Sequence, residues 1–227
     1  MSRTCALYQA GLVGYRRGLQ IQQEAWKAVA AGRWDGVLIL VEHPAVITIG
    51  RGDDTEGLLF SYEDYARRGI EVHTCDRGGK TTCHNPGQLV GYPVLNLARW
   101  RKDVHWYLRA LEQVMIDSLQ CYGLSAGRRP EYTGAWLGDK KIAAIGVAVR
   151  QWVTRHGFAI NVNNDLSLFR TIVPCGIREF GVTSLHEAGV PGASVADAAA
   201  RVVDNFRDVF DTDVRPITTL LGDGEKS

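Results

Sequence analysis

The amino-acid sequence predicts an α+β fold, in which a mixed or antiparallel β-sheet carries helices packed on one side. Strand-like segments outnumber helical ones, and several follow one another with no helix between them, which disfavours a doubly wound parallel sheet. The chain also lacks a Gly-x-x-x-x-Gly-Lys-[Ser/Thr] motif and a Gly-x-Gly-x-x-Gly motif after a strand. P-loop and dinucleotide binding are therefore disfavoured.

Hydrophobic spacing assigns the elements in chain order. It predicts helices over about residues 13–31, over Tyr62–Arg68, over a stretch from Leu108 to Leu119, and after the capping box formed by Ser194 and Asp197. Apolar or alternating runs predict strands at 37–41, 45–49, 70–75, 89–97, 132–137, 142–149 and 152–161. A glycine-rich loop is expected over Arg77–Gly87. We expect one domain spanning residues 1–227, with a flexible tail from about residue 216.

Charge and composition exclude several function classes. Lys and Arg total 26 against 25 Asp and Glu, so a net charge of +1 leaves only a local basic patch open for nucleic acid. No apolar run approaches the roughly 18 residues that cross a bilayer, and the first eight residues lack the apolar core of an export signal. We therefore expect a cytoplasmic protein without a membrane or nucleic-acid partner.

The five cysteines are expected to be free thiols. Their number is odd, their spacing is irregular and no Cys-x-x-Cys pair occurs, which disfavours both a disulfide framework and a zinc site. Cys175 stands between Pro174, which stiffens the chain, and Gly176, which leaves the thiol uncrowded. A reactive thiol also needs a neighbour that accepts its proton. An inert, buried cysteine is the alternative interpretation.

The segment Asp76–Gln88 concentrates glycine, proline and polar residues. Its glycines let a ligand approach the backbone, and their N–H groups can form an anion-binding nest. Arg77 could pair with an acidic group, and His84 could donate a hydrogen bond or act as a general acid or base. A plain surface turn is the alternative, but this composition exceeds what one turn requires.

Two later segments supply further candidates. Lys140 and Lys141 lead into a strand that is apolar on both faces, and desolvation at such a strand favours the neutral, basic form of a lysine. Two solvated turn lysines are the alternative, and alternation does not choose between them. In the segment His156–Ala159, Gly157 is typical of close approach by a ligand or another backbone. We interpret His156 as a hydrogen-bonded core or rim histidine.

Taken in chain order, these motifs resemble the lipoyl(octanoyl) transferase family of lipoate biosynthesis. The likeness covers about residues 8–210. Its motifs are Arg77-Gly78-Gly79…His84…Pro86-Gly87-Gln88, Lys141-Ile142-Ala143-Ala144-Ile145-Gly146, His156-Gly157-Phe158-Ala159 and Pro174-Cys175-Gly176-Ile177. The shorter matches are Glu42-His43-Pro44, Tyr92-Pro93 and Val182-Thr183-Ser184-Leu185. The resemblance implies the fold shared by biotin and lipoate protein ligases.

The resemblance also implies an activity. An octanoyl group would pass from octanoyl-acyl carrier protein to a lysine of lipoyl domains, such as those of 2-oxoacid dehydrogenase E2 subunits and the glycine cleavage H protein. Cys175 would carry the acyl thioester and Lys141, rather than Lys140, would be its basic partner, with no ATP, metal or other cofactor. The implied acyl and substrate-lysine site comprises Arg77, Gly78, Gly79, Lys80, Thr81, Thr82, Cys83, His84, Ala144, Ile145, Gly146, Gly157, Phe158 and Ala159.

The chain departs from the family at two loop positions. The family usually reads Tyr-His-Gly-Pro-Gly-Gln, whereas this chain has Cys83 in place of the tyrosine and Asn85 in place of the first glycine. We expect Asn85 to keep the turn by adopting a positive φ, because asparagine tolerates that conformation better than most residues. We expect Cys83 to alter the packing of the loop.

Two other functions fit the same motifs. An ATP-dependent lipoate or biotin ligase of this fold would not need Cys175, and a non-catalytic acyl-binding protein would need neither Cys175 nor Lys141. Acidic partner proteins would suit exposed arginines. The candidate positions are Arg16, Arg17, Arg67, Arg68, Arg99, Arg101, Arg128 and Arg129.

Overall fold

Twelve strands and four helices make up the described part of the chain. A computed structural model describes residues 3–52, 55–176 and 179–220, apart from the side chain of Cys175. The strands are β1 (Arg3–Leu12), β2 (Gly36–Glu42), β3 (Val46–Ile49), β4 (Glu71–Thr74), β5 (Thr82–His84), β6 (Gln88–Leu95), β7 (Gly127–Arg129), β8 (Tyr132–Leu137), β9 (Lys140–Arg150), β10 (Val153–Asn161), β11 (Gly181–Val182) and β12 (Thr212–Pro216). The helices are α1 (Tyr15–Ala30), α2 (Tyr62–Arg67), α3 (Val104–Gln120) and α4 (Val195–Phe210). None of these helices is both long and apolar enough to cross a membrane.

The strands form a large mixed sheet and a small one. The large sheet runs in the order β12-β1-β2-β6-β10-β9-β8-β7, with β11 beside the start of β9, and the small sheet has the order β4-β3-β5. Strand β1 is parallel to both of its neighbours, whereas β2, β6, β10, β9 and β8 pair antiparallel in turn. The mixed sheet predicted from the sequence is therefore confirmed.

Helices cover both faces of the large sheet, so the prediction of helices on one side is wrong. Along β2, Leu38 and Leu40 face a core built with α3 and α4, while Val37 and Ile39 face a second core built with α1. A strand buried on both faces reads as a continuous apolar run, without the polar alternation of a half-exposed strand. The run 37–41 carries this two-sided signal.

Further details of the strands follow from the pairing. The predicted strands 37–41 and 45–49 both form, and they lie in different sheets, because β3 leaves β2 to pair with β4 and β5. The expected loop Arg77–Gly87 contains strand β5. Strand β12 pairs with β1 and ends at Pro216, where the expected tail begins, and the side chain of Leu220 is buried. Residues 221–227 of that tail lie outside the described residues.

Candidate functional site

A pocket opens on the α1 face of the large sheet, beside the small sheet. Small residues on β9 and β10, namely Ala144, Gly146, Gly157 and Ala159, leave space against the sheet. Among the described residues, the lining consists of Tyr15, Arg77, Gly79, Lys80, Thr82, His84, Val90, Tyr92, Ala144, Ile145, Gly146, His156, Gly157, Phe158 and Ala159. A mostly apolar cleft with a few convergent polar groups is the usual form of a small-molecule site.

Most of the candidate binding residues from the sequence lie in this lining, but Gly78, Thr81 and Cys83 do not. On β5, alternation directs Thr82 and His84 to the pocket, whereas Cys83 packs in the core beneath the small sheet. The sequence analysis did not assign four lining residues to the site, which are Tyr15, Val90, Tyr92 and His156. Tyr92 and His156 lie within motifs that carried the family resemblance, so their place in those motifs could have assigned them to the site.

Arg77 joins the glycine-rich loop to the small sheet. Its side chain is buried, and Nη2 donates to the carbonyl oxygen of Thr48 at 2.7 Å and to its hydroxyl at 2.8 Å. A Cβ on Gly50 would lie 2.7 Å from Arg77 Nη1, and one on Gly146 would lie 2.9 Å from Arg77 Cδ. Within the described residues, this guanidinium donates to backbone and hydroxyl oxygens rather than to an acidic group, and glycines make room for it.

A buried hydrogen-bond chain connects His84 to the strand that carries Lys141. His84 Nδ1 lies 2.6 Å from Gln88 Oε1, and Gln88 Nε2 donates to Asn161 Oδ1 at 2.8 Å. Asn161 Nδ2 donates to the carbonyl oxygen of Thr183 at 2.9 Å, and the Thr183 N–H donates to that of Lys141 at 3.0 Å. Because Gln88 Oε1 can only accept, His84 Nδ1 carries the proton and Nε2 is an acceptor.

Burial keeps His84 neutral. Desolvation, together with the nearby His43, lowers its pKa from 6.5 to about 3, although the bond to Gln88 opposes the shift. The unfolded chain thus binds a proton that the folded chain does not bind between these two pH values. Keeping His84 neutral therefore does not reduce the free energy of unfolding above pH 6.5. As the pH falls from 6.5 towards 3, protonation of this histidine in the unfolded chain lowers the free energy of unfolding.

Substituting His84 is expected to flatten the pH dependence of stability. In His84→Gln, the slope of the unfolding free energy between pH 6.5 and 4 should fall by up to about 1.4 kcal/mol per pH unit, the value for one proton. Urea unfolding at a series of pH values measures this slope. His105→Gln, which removes an exposed imidazole from α3, is the control. An unchanged slope in His84→Gln would contradict a buried, neutral His84.

His43, which lies in the short family match Glu42-His43-Pro44, packs behind the pocket lining. Its Nδ1 donates to the carbonyl oxygen of Val13 at 2.7 Å, so its Nε2 accepts from the Tyr92 hydroxyl at 2.7 Å. Burial lowers the pKa of His43 and so favours the neutral ring, whose tautomer is set by these two hydrogen bonds. The ring of Tyr15 meets His43 edge-on, with 5.5 Å between ring centroids. Two of the aromatic lining residues are therefore fixed by one imidazole.

His156 has the strained backbone of the pocket, with a φ of 57°. Its N–H donates to Gln22 Oε1 at 2.8 Å, and its Nε2 donates to Asp76 Oδ1 at 2.7 Å. Burial lowers the pKa of His156 against the opposing effect of Asp76, so this contact is a hydrogen bond from a neutral imidazole. Desolvation opposes ionisation of Asp76, but His156 and Arg155 outweigh it and lower the pKa of the carboxyl.

The expectation for Asn85 is wrong, because it is Gly87 that has the positive φ, at 88°. Asn85 instead uses its side chain. Nδ2 donates to the carbonyl oxygen of Asp165 at 2.8 Å, and Oδ1 accepts from Asn164 Nδ2 at 3.0 Å. Cys83 is fully buried beside Ile47 in the core of the small sheet. Both departures from the family motif are therefore accommodated by buried contacts.

The structure distinguishes the two lysines that alternation left open. Lys141 is 9% exposed, and its Nζ lies 4.9 Å from the centroid of the Trp136 ring. Lys140 is exposed. Both residues pair with β11, whose short strand begins six residues after Cys175. The buried member of the pair is thus the one that the family resemblance assigns as the base.

Cys175 lies in a short 3₁₀ turn, Pro174–Gly176, and its side chain is outside the described part of the structure. The neighbouring residue locates the turn. A Cβ on Gly176 would lie 2.5 Å from Lys80 Cδ and 2.9 Å from Lys80 Nζ. Since Lys80 lines the pocket, the turn that carries Cys175 adjoins the pocket. Within the described ranges, no three His, Cys, Asp or Glu side chains gather as metal ligands would.

Most of the arginines suggested for partner binding already have partners within the chain. Those with a carboxylate of this chain within ion-pair distance are Arg17, Arg67, Arg99, Arg101, Arg128 and Arg129. Arg68 instead stacks 4.4 Å from the centroid of the Phe60 ring. Exposed ion pairs of this kind contribute little to stability, roughly 0–1 kcal/mol each.

Comparison with known proteins gives consistent matches. Residues 14–207 match the lipoyl protein ligase A/B catalytic domain. An octanoyltransferase from Clostridium kluyveri is 46% identical over 89% of this chain and 87% of its own length. One from Solibacter usitatus is 47% identical over 96% of this chain and 98% of its own length. Their shared name agrees with the acyltransferase class predicted from the sequence.

Solved structures show the same fold. A bi-partite lipoate protein ligase from Thermoplasma acidophilum, analysed with its E2 lipoyl domain, is similar with a TM-score of 0.71 and 19% identity, covering 97% of this chain and 89% of its own. A biotin protein ligase from Aquifex aeolicus has a TM-score of 0.51 and 12% identity, covering 93% of this chain and 70% of its own. The predicted ligase-like fold is therefore confirmed.

Proposed function

The chain belongs to the lipoyl protein ligase A/B catalytic domain family, and on that premise we propose that it moves octanoyl groups from octanoyl-acyl carrier protein to lysines of lipoyl domains. A thioester on Cys175 is the proposed intermediate. The observation that carries this proposal is the contact between Gly176 and Lys80, which places the Cys175 turn against the pocket. The described chain acts in this proposal as one catalytic domain.

The pocket suits an acyl chain. Its walls combine apolar side chains, such as Val90 and Phe158, with the small residues of β9 and β10, and none of the described lining residues is a carboxylate. Burying apolar surface contributes roughly 25 cal/mol per Å², so an eight-carbon chain would be held mainly by this wall. Polar groups are confined to the loop and to histidine and tyrosine side chains, where the reacting carbonyl would lie.

Two steps complete the proposed reaction. Neutral Lys141 takes the proton of the Cys175 thiol, and the thiolate attacks the thioester carbonyl of the donor, whose carrier thiolate leaves and recovers the proton. The amine of the acceptor lysine then attacks the enzyme thioester, and Lys141 moves the proton from nitrogen to the departing Cys175 sulfur. Backbone N–H groups stabilise the oxyanion in each step. Conversion of a thioester to an amide is downhill, so the reaction needs no ATP.

Acceptors in this proposal are lipoyl domains, such as those of 2-oxoacid dehydrogenase E2 subunits and the glycine cleavage H protein. The ligase alternative has less support. Solved ligases share only 12–19% identity with this chain, which indicates the fold, whereas the curated octanoyltransferases share 46–47% over most of it. A non-catalytic acyl-binding protein would not require a buried lysine on β9 next to β11, the strand that follows the Cys175 turn.

Incubation with octanoyl-acyl carrier protein followed by intact-mass measurement tests the proposal. Wild-type protein should gain one octanoyl group that hydroxylamine removes, and Cys175→Ser should gain none because it lacks the thiol. Cys121→Ser is the matched control, since Cys121 is an exposed free thiol far from the pocket, and it should be acylated normally. Absence of an adduct on the wild-type protein, or an adduct that persists in Cys175→Ser, would contradict the proposed intermediate.

A further inference from the structure

A second groove lies beside the acyl pocket and is strongly basic. It encloses about 460 Å³, within the range of ligand pockets, and three arginines line it, Arg51, Arg150 and Arg155. Among the described lining residues, Asp76 is the one acidic side chain. The chain as a whole has a net charge of only +1, so this is a local concentration of positive charge.

Two of the three arginines are available to a ligand. Asp76 already contacts Arg155 at 3.1 Å and His156 at 2.7 Å, which uses both of its carboxylate oxygens. Arg51 and Arg150 are exposed, and neither forms an ion pair or side-chain hydrogen bond with the described residues. Guanidinium groups bind phosphate through paired N–H donors. The groove can therefore bind an anion such as a phosphate through these two guanidinium groups.

Only the glycine-rich loop separates this groove from the acyl pocket. Gly78 lines the groove, while its neighbours Arg77 and Gly79 line the pocket. On β9, Gly146 lines the pocket and Val147 lines the groove. The Gly78 N–H donates to the carbonyl oxygen of Val147 at 2.8 Å, which holds the loop on the edge of β9. A ligand that leaves the pocket over this loop enters the groove.

Reaching the groove requires a long, flexible donor arm, because Arg150 ends β9 and Lys141 stands near its start. Arg51 is tied to the loop, since its N–H donates to the carbonyl oxygen of Arg77 at 3.0 Å. Arg150 lies four residues beyond Gly146 along β9, which is roughly 13 Å at the rise of a strand. Acyl carriers hold their acyl group as a thioester on an arm that ends in a phosphodiester. With the acyl chain in the pocket, that arm would extend past the loop towards both arginines.

We propose that Arg51 and Arg150 bind the phosphodiester of the acyl donor's arm. The proposal rests on the donor assigned under the proposed function and adds the subsite that recognises it. The acyl chain is then held at one end by the pocket and the anionic end of the arm by the groove. Donors that carry a phosphate should be preferred over donors that lack one.

The ratio of kcat/KM for octanoyl-4′-phosphopantetheine to that for octanoyl-pantetheine, which lacks only the phosphate, tests the subsite. In the double variant Arg51→Gln/Arg150→Gln this ratio should fall about tenfold or more, since each charge-assisted hydrogen bond is worth roughly 1.5–3 kcal/mol. A double variant of two ion-paired arginines on remote elements, Arg207→Gln/Arg215→Gln, should keep the wild-type ratio. An unchanged ratio in the groove variant, or an equal fall in the control, would overturn the proposal.

Binding measured without turnover separates this proposal from the proposed function. Calorimetric titration with 4′-phosphopantetheine and with pantetheine should show a preference for the phosphorylated ligand in wild type that the groove variant loses. Titration with inorganic phosphate distinguishes recognition of the arm from binding of any phosphate. If the wild-type protein forms no acyl-enzyme but still prefers 4′-phosphopantetheine over pantetheine, the groove proposal is supported and the proposed reaction is wrong. If wild type binds both arm ligands equally, the groove proposal is wrong.

Discussion

Lys141→Arg is expected to reduce octanoyl transfer at least about a hundredfold, the usual loss when a general base is removed. Arginine is a long side chain that can also stack on Trp136, whose ring lies 4.9 Å from Lys141 Nζ, but its charge is fixed. It cannot give up a proton at neutral pH, so it cannot serve as a base. The single-turnover rate of octanoyl transfer to a lipoyl domain measures the loss, and thermal unfolding checks that the variant folds.

The neighbouring lysine provides the matched control for this prediction. Lys140→Arg changes the same residue type at the adjacent, exposed position, and it should retain the wild-type rate. Lys141→Met, which also removes the charge, should be as impaired as Lys141→Arg if the proton transfer matters more than the charge. Wild-type rates in Lys141→Arg, or an equal loss in Lys140→Arg, would show that the base is assigned wrongly.

Gly157→Ala is expected to destabilise the fold by about 3 kcal/mol or more, the upper range for overpacking. A Cβ at this position would overlap the carbonyl oxygen of Gly91 and would lie 2.5 Å from Pro93 Cδ. These are backbone and ring atoms on the adjacent strand β6, so no flexible side chain can move aside. Urea unfolding monitored by circular dichroism measures the change.

Gly192→Ala is the control for Gly157→Ala, because a Cβ on Gly192 meets no atom within 4 Å. That variant should unfold at or near the wild-type urea concentration. Equal midpoints for wild type and Gly157→Ala would mean that β6 and β10 separate easily at this point. The close approach of the two backbones would then not explain why glycine occupies the position.

The sequence predicted the helices more closely than the arrangement of the strands. Helix α1 was expected over 13–31 and occupies Tyr15–Ala30, because its apolar spacing is local. Strand β1, by contrast, was missed, since it is defined by pairing with β2 and with β12, some 200 residues away in the chain. Partition of 37–41 and 45–49 between two sheets is likewise decided by distant partners.

The site shows the same division between local and distant information. The acyltransferase class and the family are confirmed by the curated relatives, because contiguous motifs such as Lys141–Gly146 carry them. Tyr15 and Val90 could not be assigned from motifs, because folding alone brings α1 and β6 to the pocket. Cys83 was placed in the binding loop, but a three-residue strand turns its side chain into the core. The choice of Lys141 over Lys140 as the base is a proposal that required a family match, and the structure adds that Lys141 is buried while Lys140 is exposed.

The loop that separates the pocket from the groove also protects the sheet. Strand β9 pairs with β8 only between Lys140 and Ala143, and beyond this point the Gly78 N–H covers the carbonyl of Val147. An uncovered strand edge is a template for pairing with another chain. Loop changes made to admit bulkier acyl groups would therefore carry a second cost, self-association through β9. Solubility at high protein concentration should be monitored in any such variant together with its substrate range.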